Sequence, residues 1–138
     1  MLSQRENPFS RYWKKEADIL WSSVIIGAGR CAYCGTRRNL QAHHLIPRRH
    51  NFTRHKVECG LCLCKYHHLY CSKISPHLAK KAFEEWLKKN FPEKYQWVQR
   101  NKSLKNYTKV DFRAAFLKLS RCKRTILRLL DKPMVTFR

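Results

Sequence analysis

Cysteine and histidine are concentrated in one stretch of this chain. Six of the seven cysteines lie between residues 31 and 71, and all the histidines lie between residues 43 and 77. The first pair, Cys31-Ala-Tyr-Cys34, is followed by a glycine, which lets backbone N–H groups turn toward the two sulfurs. The segment Cys64-Lys-Tyr-His67 has the same spacing. Three sulfurs and one nitrogen supplied by the protein make a closed tetrahedral site, which is typical of structural Zn²⁺.

The two pairs therefore predict a structural zinc site whose ligands are Cys31, Cys34, Cys64 and His67. The spacing leaves open that Cys62 or Cys71 replaces one of them. The odd total of seven cysteines, the clustering of six of them and the lack of a recognisable export signal before them argue against a disulfide framework.

Three further histidines are placed for a different chemistry. His43 and His44 are adjacent, and adjacent residues of a β-strand point to opposite faces. One imidazole can then bind a metal while the other acts as a base. His68 directly follows the second ligand pair, so the zinc would hold it near the strand that carries the other two. Glu58 is the only carboxylate between residues 31 and 71, which disfavours a two-metal carboxylate enzyme.

The charge of the chain indicates a polyanionic partner. The 138 residues carry 30 Lys and Arg against 9 Asp and Glu, a net charge of +21. Residues 72–138 alone hold 18 of the basic and 5 of the acidic residues. Such an excess favours nucleic acid. Since no apolar run is long enough to span a bilayer, we expect a soluble, intracellular protein without membrane contact.

The basic side chains best placed for nucleic acid fall in two groups. The first group follows the His-His pair and is expected to bind phosphate beside it: Arg48 and Arg49. The second lies along the last predicted helix: Arg113, Arg121, Lys123, Arg124 and Arg128.

The sequence pattern around these groups predicts an α+β fold with three regions. Residues 1–30 contain a helix over 10–26 that begins at Ser10 and carries a tryptophan-rich apolar face. Residues 31–75 form a compact Cys/His core with short strands. Residues 76–138 form a basic helical region: a helix from Ser75 ends at Pro92, a short helix follows, and a long helix starts at Thr108-x-x-Asp111. The long helix either packs on its own domain or forms a homodimer seam through 108–131.

The order of these motifs resembles the HNH endonucleases of the ββα-metal type found in phage genomes and mobile elements. The resemblance covers residues 31 to about 71. It implies a small zinc-stapled ββα-metal core, in which a two-stranded ribbon and a helix hold one divalent cation, either Mg²⁺, Mn²⁺, Ni²⁺ or Zn²⁺. His43 and His68 match the cation ligands, and His44 matches the general base on water. The implied activity is nicking or double-strand cleavage of DNA, with structured RNA as a further possible substrate, in the bacterial cytoplasm of a phage host.

One position departs from the family pattern. Family members usually have asparagine five residues before the third cysteine ligand, where this chain has Cys59. The amide of that asparagine holds the loop that aims the base. Because a thiol is a weak donor and acceptor, we expect that Cys59 does not bridge this loop. The substitution favours an alternative function, a zinc-bound DNA-binding protein with weakened catalysis.

Overall fold

The computed structural model describes residues 1–104 and 109–130, with side chains up to residue 124. These residues form a small α+β fold with two strands and four helices. Two short turns complete it: a 3₁₀ turn at Val57–Cys59 and a π-helical turn at Tyr66–Tyr70. The longer elements, in chain order, are α1 (Arg11–Ile26), β1 (Leu40–His44), β2 (Gly60–Cys64), α2 (Lys80–Asn90), α3 (Pro92–Asn101) and α4 (Phe112–Leu130).

The two strands form an antiparallel ribbon that separates two apolar cores. Leu40 pairs with Cys64 at one end, and His44 pairs with Gly60 at the other. Because side chains alternate along a strand, even-numbered positions of β1 face α1 and odd-numbered positions face α2. Ala42 accordingly packs against the α1 core, whereas His43 contacts Phe83 of α2. The ribbon therefore presents adjacent residues to two different environments.

The first core joins α1, β2 and α4. Its buried residues are Ala17, Trp21, Val24, Ile25, Cys62 and Leu119. The predicted helix over 10–26 is confirmed, and Ser10 caps it by accepting a hydrogen bond from the backbone N–H of Trp13. The last helix begins after Asp111, which accepts from the N–H of Ala114 at 2.8 Å. Thr108, the other half of the predicted cap, lies outside the described residues.

The packing of α4 bears on its two predicted roles. Phe112 and Leu119 are buried, and α4 contacts α1 along the same chain. These two positions are therefore covered within the chain, as expected for a helix packed on its own domain. A dimer through 108–131 stays a prediction and would have to use other residues of the helix.

The start of α2 differs from the prediction. The helix begins at Lys80 and not at Ser75, and Leu78 of the predicted apolar face is 59% exposed. Ser75 is buried, where its hydroxyl donates to the His68 carbonyl at 2.7 Å and accepts from the His77 N–H at 3.2 Å. Ser75 thus anchors a turn instead of capping the helix. The predicted end before Pro92 is confirmed, and this proline opens α3.

The second core lies on the other side of the ribbon. Leu61 and Leu63 of β2 pack there against Phe83 and Leu87 of α2, beside Cys31. All three predicted regions thus contribute to the two cores that flank one ribbon. In the part of the chain that the structure describes, no helix is long and apolar enough to cross a membrane.

Candidate metal centres and their cleft

The four predicted zinc ligands come together as one cluster. The ligand atoms of Cys31, Cys34, Cys64 and His67 all lie within 4.8 Å of one another. The sulfurs of Cys34 and Cys64 are 3.9 Å apart, and the Cys64 sulfur is 3.1 Å from Nδ1 of His67. Two sulfur ligands of a tetrahedral Zn²⁺ are expected about 3.8 Å apart, given Zn–S bonds of about 2.3 Å. A Cys₃His set of this geometry could hold zinc.

Local backbone geometry explains how the first pair forms. Gly35 has a positive φ of 76°, a conformation that glycine adopts readily, and its N–H donates to the Cys31 carbonyl at 2.9 Å. Burial acts to raise the pKa of the Cys31 thiol, but backbone hydrogen bonds from Cys34, Cys64 and Tyr33 outweigh it and lower the pKa. The Cys31–Gly35 segment is attached to the ribbon because the Ala32 N–H donates to the Cys62 carbonyl at 2.8 Å.

The alternative zinc ligands lie elsewhere. Cys62 is buried in the α1 core, on the opposite face of β2 from Leu61 and Leu63. Cys71 is hydrogen-bonded to the side chain of Tyr66. Neither belongs to the four-residue cluster, so the structure favours the ligand set that the spacing predicts.

A second cluster consists of three histidines, one of which the sequence analysis missed. Nδ1 of His43 lies 3.2 Å from Nε2 of His68, and Nε2 of His68 lies 3.1 Å from Nε2 of His77. All three ligand nitrogens lie within 4.8 Å of one another. Two nitrogen ligands of a tetrahedral metal with bonds of about 2.0–2.1 Å are expected about 3.4 Å apart. The spacing is thus close to that of a shared cation.

The protonation states of two of these histidines also suit metal binding. Nδ1–H of His68 donates to the side-chain oxygen of Gln41 at 2.7 Å, which leaves its Nε2 lone pair directed at the other two rings. Burial, aided by the neighbouring imidazoles, lowers the pKa of His43 to about 3 and that of His68 to about 4. Both rings are therefore neutral at pH 7, the form that binds a metal.

His44 lies on the other face of β1 and has different partners. Its ring stacks on Trp21 with centroids 3.8 Å apart and planes 14° from parallel. Its Nε2 lies 3.0 Å from the Arg54 carbonyl oxygen, which can only accept, so Nε2 carries the proton and Nδ1 has the lone pair. Burial lowers the pKa of His44 to about 4, so the ring is neutral at pH 7.

Cys59 corrects an expectation. Its sulfur accepts from the Ile46 N–H at 3.4 Å and donates to the Ile46 carbonyl at 3.6 Å, while the Leu45 N–H donates to the Cys59 carbonyl at 2.7 Å. The thiol therefore does bridge the loop that follows the His-His pair. Burial raises the pKa of this thiol, so it stays protonated and keeps its donor.

A cleft of about 960 Å³ joins the histidine cluster to His44. Arg48 and Arg49 line it, together with Lys80 of α2 and Lys102, which directly follows α3. One acidic side chain, Glu84, lines it as well. The cleft is therefore a basic depression with the imidazoles on its wall.

The basic residues of α4 whose side chains the structure describes are not part of this cleft. The helix packs on α1, on the opposite side of the ribbon from α2. Arg113 stacks over Trp13, and Lys123 donates to the Ser23 hydroxyl at 3.0 Å. Arg121 and Arg124 are exposed, and the side chain of Arg128 lies outside the described residues. The structure thus separates the predicted nucleic-acid residues into two surfaces.

Comparison with known proteins adds no identification. No family model, curated protein or solved structure matches this chain. The likeness to HNH endonucleases therefore rests on the motifs alone and stays a prediction.

Proposed function

We propose that this chain is a metal-dependent endonuclease of the HNH type that hydrolyses phosphodiester bonds in double-stranded DNA. In this proposal β1, β2 and the Tyr66–Tyr70 turn form a ββα-metal core, with one cation held by His43 and His68 and joined by His77. The observation that carries the proposal is that β1 places two adjacent histidines on opposite faces, where they have different partners. One face directs a ligand nitrogen toward two other imidazoles, and the opposite face holds a neutral imidazole with a free Nδ1.

The chemistry of the chain's own residues follows from this placement. Nδ1 of His44 takes a proton from a water molecule in the cleft, whose oxygen bonds to phosphorus as the P–O3′ bond breaks. The leaving 3′-oxygen takes a proton from solvent. The Arg54 carbonyl, as acceptor from Nε2–H, stabilises the imidazolium that forms. Arg48 and Arg49 bind the neighbouring phosphates. A cation on the three imidazoles would supply positive charge for the transition state.

The donor set bears on the choice of cation. Three imidazoles without a carboxylate suit Zn²⁺ or Ni²⁺ better than Mg²⁺, which prefers oxygen ligands. The structural zinc at the Cys₃His cluster would hold the Tyr66–Tyr70 turn, and with it His68, against the ribbon.

The test is nicking of supercoiled plasmid by the full chain with Mg²⁺, Mn²⁺, Ni²⁺ or Zn²⁺. We expect cleavage by the wild type and a loss of about 100-fold or more in His44→Ala, the usual contribution of a general base. Binding to the plasmid should persist in that variant. His50→Ala is the matched control, because His50 lines the same cleft and its side chain makes no hydrogen bond to the described residues.

Two results would overturn the proposal. Cleavage by His44→Ala at the wild-type rate would show that His44 is not the general base. A wild-type protein that binds DNA and cleaves with none of the four cations would instead be the zinc-bound DNA-binding protein.

A further inference from the structure

Arg54 connects three parts of the molecule around the proposed base. Its carbonyl accepts the Nε2–H of His44 at 3.0 Å. Its guanidinium donates to the Arg48 carbonyl at 3.0 Å, which ties it to the loop after β1. The same guanidinium donates through two nitrogens to the carboxylate of Asp18 on α1, at 2.7 and 2.6 Å. The position of the Arg54 backbone, and so of the acceptor for His44, is thereby linked to α1.

The ion pair is built more firmly than an ordinary surface pair. The side chain of Arg54 is 12% exposed and that of Asp18 is 33% exposed. A bidentate arginine–carboxylate pair fixes direction as well as distance. Asp18 also accepts from Nε2 of His55 at 2.7 Å. Burial acts to raise the pKa of Asp18, but the hydrogen bonds from Arg54 and His55 outweigh it and hold the pKa well below its ordinary value.

Helix α1 also contacts residue 56 and the His44 imidazole, through Trp21. Trp21 lies one turn after Asp18 on α1, and its ring covers one face of the His44 imidazole. Its Nε1–H donates to the Lys56 carbonyl at 2.8 Å. Consecutive residues 54, 55 and 56 are therefore each bonded to α1. The helix thus contacts both the loop that supplies the acceptor and the ring that donates to it.

We propose that Asp18 is a positioning residue for His44: acting through Arg54, it fixes the orientation and the Nε2–H tautomer of the imidazole. Without the carboxylate, the Arg54 side chain loses its anchor on α1 and the carbonyl is no longer held in line with Nε2. The imidazole can then turn or carry its proton on Nδ1, where no lone pair remains to accept a proton from water. The catalytic consequence rests on the proposed function, whereas the positioning itself does not.

The first experiment measures the tautomer directly. Long-range ¹H–¹⁵N spectra of the zinc-loaded full chain at pH 7.5 separate Nε2–H from Nδ1–H histidines. We expect His44 to be in the Nε2–H form in the wild type, with solvent exchange of that proton at least tenfold faster in Asp18→Asn. The matched control is Glu16→Gln, which removes the same charge from the same helix at a side chain without a hydrogen bond to the described residues. A wild-type spectrum for Asp18→Asn would overturn the proposal.

The second experiment measures cleavage under steady-state conditions. We expect Asp18→Asn to lower kcat at least tenfold with KM changed less than twofold, because DNA binding does not use Asp18. If Asp18→Asn does not fold or loses its zinc, Arg54→Lys replaces it. This variant keeps the backbone carbonyl but cannot form the two-point contact, and it should show a smaller increase in proton exchange.

Failure of the proposed function and failure of the positioning by Asp18 give different results. A wild type that does not cleave DNA refutes the proposed function while the spectra still decide the positioning. A wild type that cleaves, together with an Asp18→Asn variant of unchanged kcat and unchanged spectrum, refutes the positioning while the nuclease stands.

Discussion

Replacing Gly60 by alanine should force α1 and the ribbon apart. A Cβ at this position would lie 2.2 Å from Cδ1 and 2.5 Å from Cγ1 of Ile25, and 3.0 Å from Cζ2 of Trp21. Carbon atoms in favourable contact are about 3.5–4.0 Å apart, so all three contacts are overlaps. The backbone of Gly60 is extended, with φ −99° and ψ 147°, which alanine adopts without strain. The whole effect is therefore steric.

The magnitude follows from how little the neighbours can move. Ile25 is 6% and Trp21 2% exposed, so neither side chain can swing into solvent. Overpacking of a closed core costs about 1–3 kcal/mol. At about 4 °C per kcal/mol for a domain of this size, Tm should fall by about 4–12 °C. Because Trp21 also stacks on His44, the proposed cleavage activity should fall together with stability.

A double-mutant cycle tests this reasoning. Urea unfolding of the zinc-loaded protein gives the free energy of unfolding for Gly60→Ala, Ile25→Ala and the double variant. Ile25→Ala removes both overlapping carbons, so the cost of Gly60→Ala should shrink by at least about 1 kcal/mol in that background. The control pair uses Ile19→Ala, an exposed position on the same helix, which should give simple additivity. Additivity with Ile25→Ala would refute the steric account.

Three further predictions concern the metal, the bridging thiol and the last helix. The purified chain should retain one Zn²⁺ during dialysis against a weak chelator. Cys31→Ser should lose that zinc and much of its stability, because zinc binding is coupled to folding. A folded wild type that contains no zinc by elemental analysis would contradict this prediction. Cys59→Asn should keep or raise the cleavage rate, since an amide can replace both bonds to Ile46. Cys59→Ala should lower the free energy of unfolding by about 1–3 kcal/mol, because it leaves those backbone groups unpaired. A clear loss of activity in Cys59→Asn would show that the thiol has a role of its own. Charge reversal at Arg121 and Arg124 should weaken binding to unrelated duplexes equally and flatten the salt dependence by about one unit for each phosphate that is no longer neutralised; unchanged affinity across a salt titration would exclude α4 from the DNA surface.

Short-range spacing was enough to predict the Cys₃His cluster. Cys31 and Cys34 lie within one turn of chain, as do Cys64 and His67, so each pair is arranged locally and only the meeting of the pairs depends on the fold. The same holds for β1, where alternation alone separates His43 from His44. These features could be predicted because they depend on a few neighbouring residues.

The residues that were missed depend on distant contacts. His77 reaches the cluster because Ser75 is anchored to the His68 carbonyl, and that contact also delays α2 to Lys80. The Ser-Pro pair at 75–76 is a local helix-start signal that tertiary packing overrides. Asp18 and Arg54 are 36 residues apart, and no local pattern relates them. The bridge made by Cys59 depends on distances to Ile46 that residue type alone does not reveal.

The pairing of β1 with β2 has a consequence for insertions and deletions. Because one residue separates the proposed ligand from the proposed base, a slip of the ribbon by one position would place His43 against Trp21 and His44 among the other imidazoles. A slip of two positions would restore the faces but displace both rings by about 6.6–6.8 Å. Functional length variants of this chain should therefore leave β1 and β2 unchanged, and a single-residue insertion within β1 before His43 should exchange the roles of two chemically identical side chains.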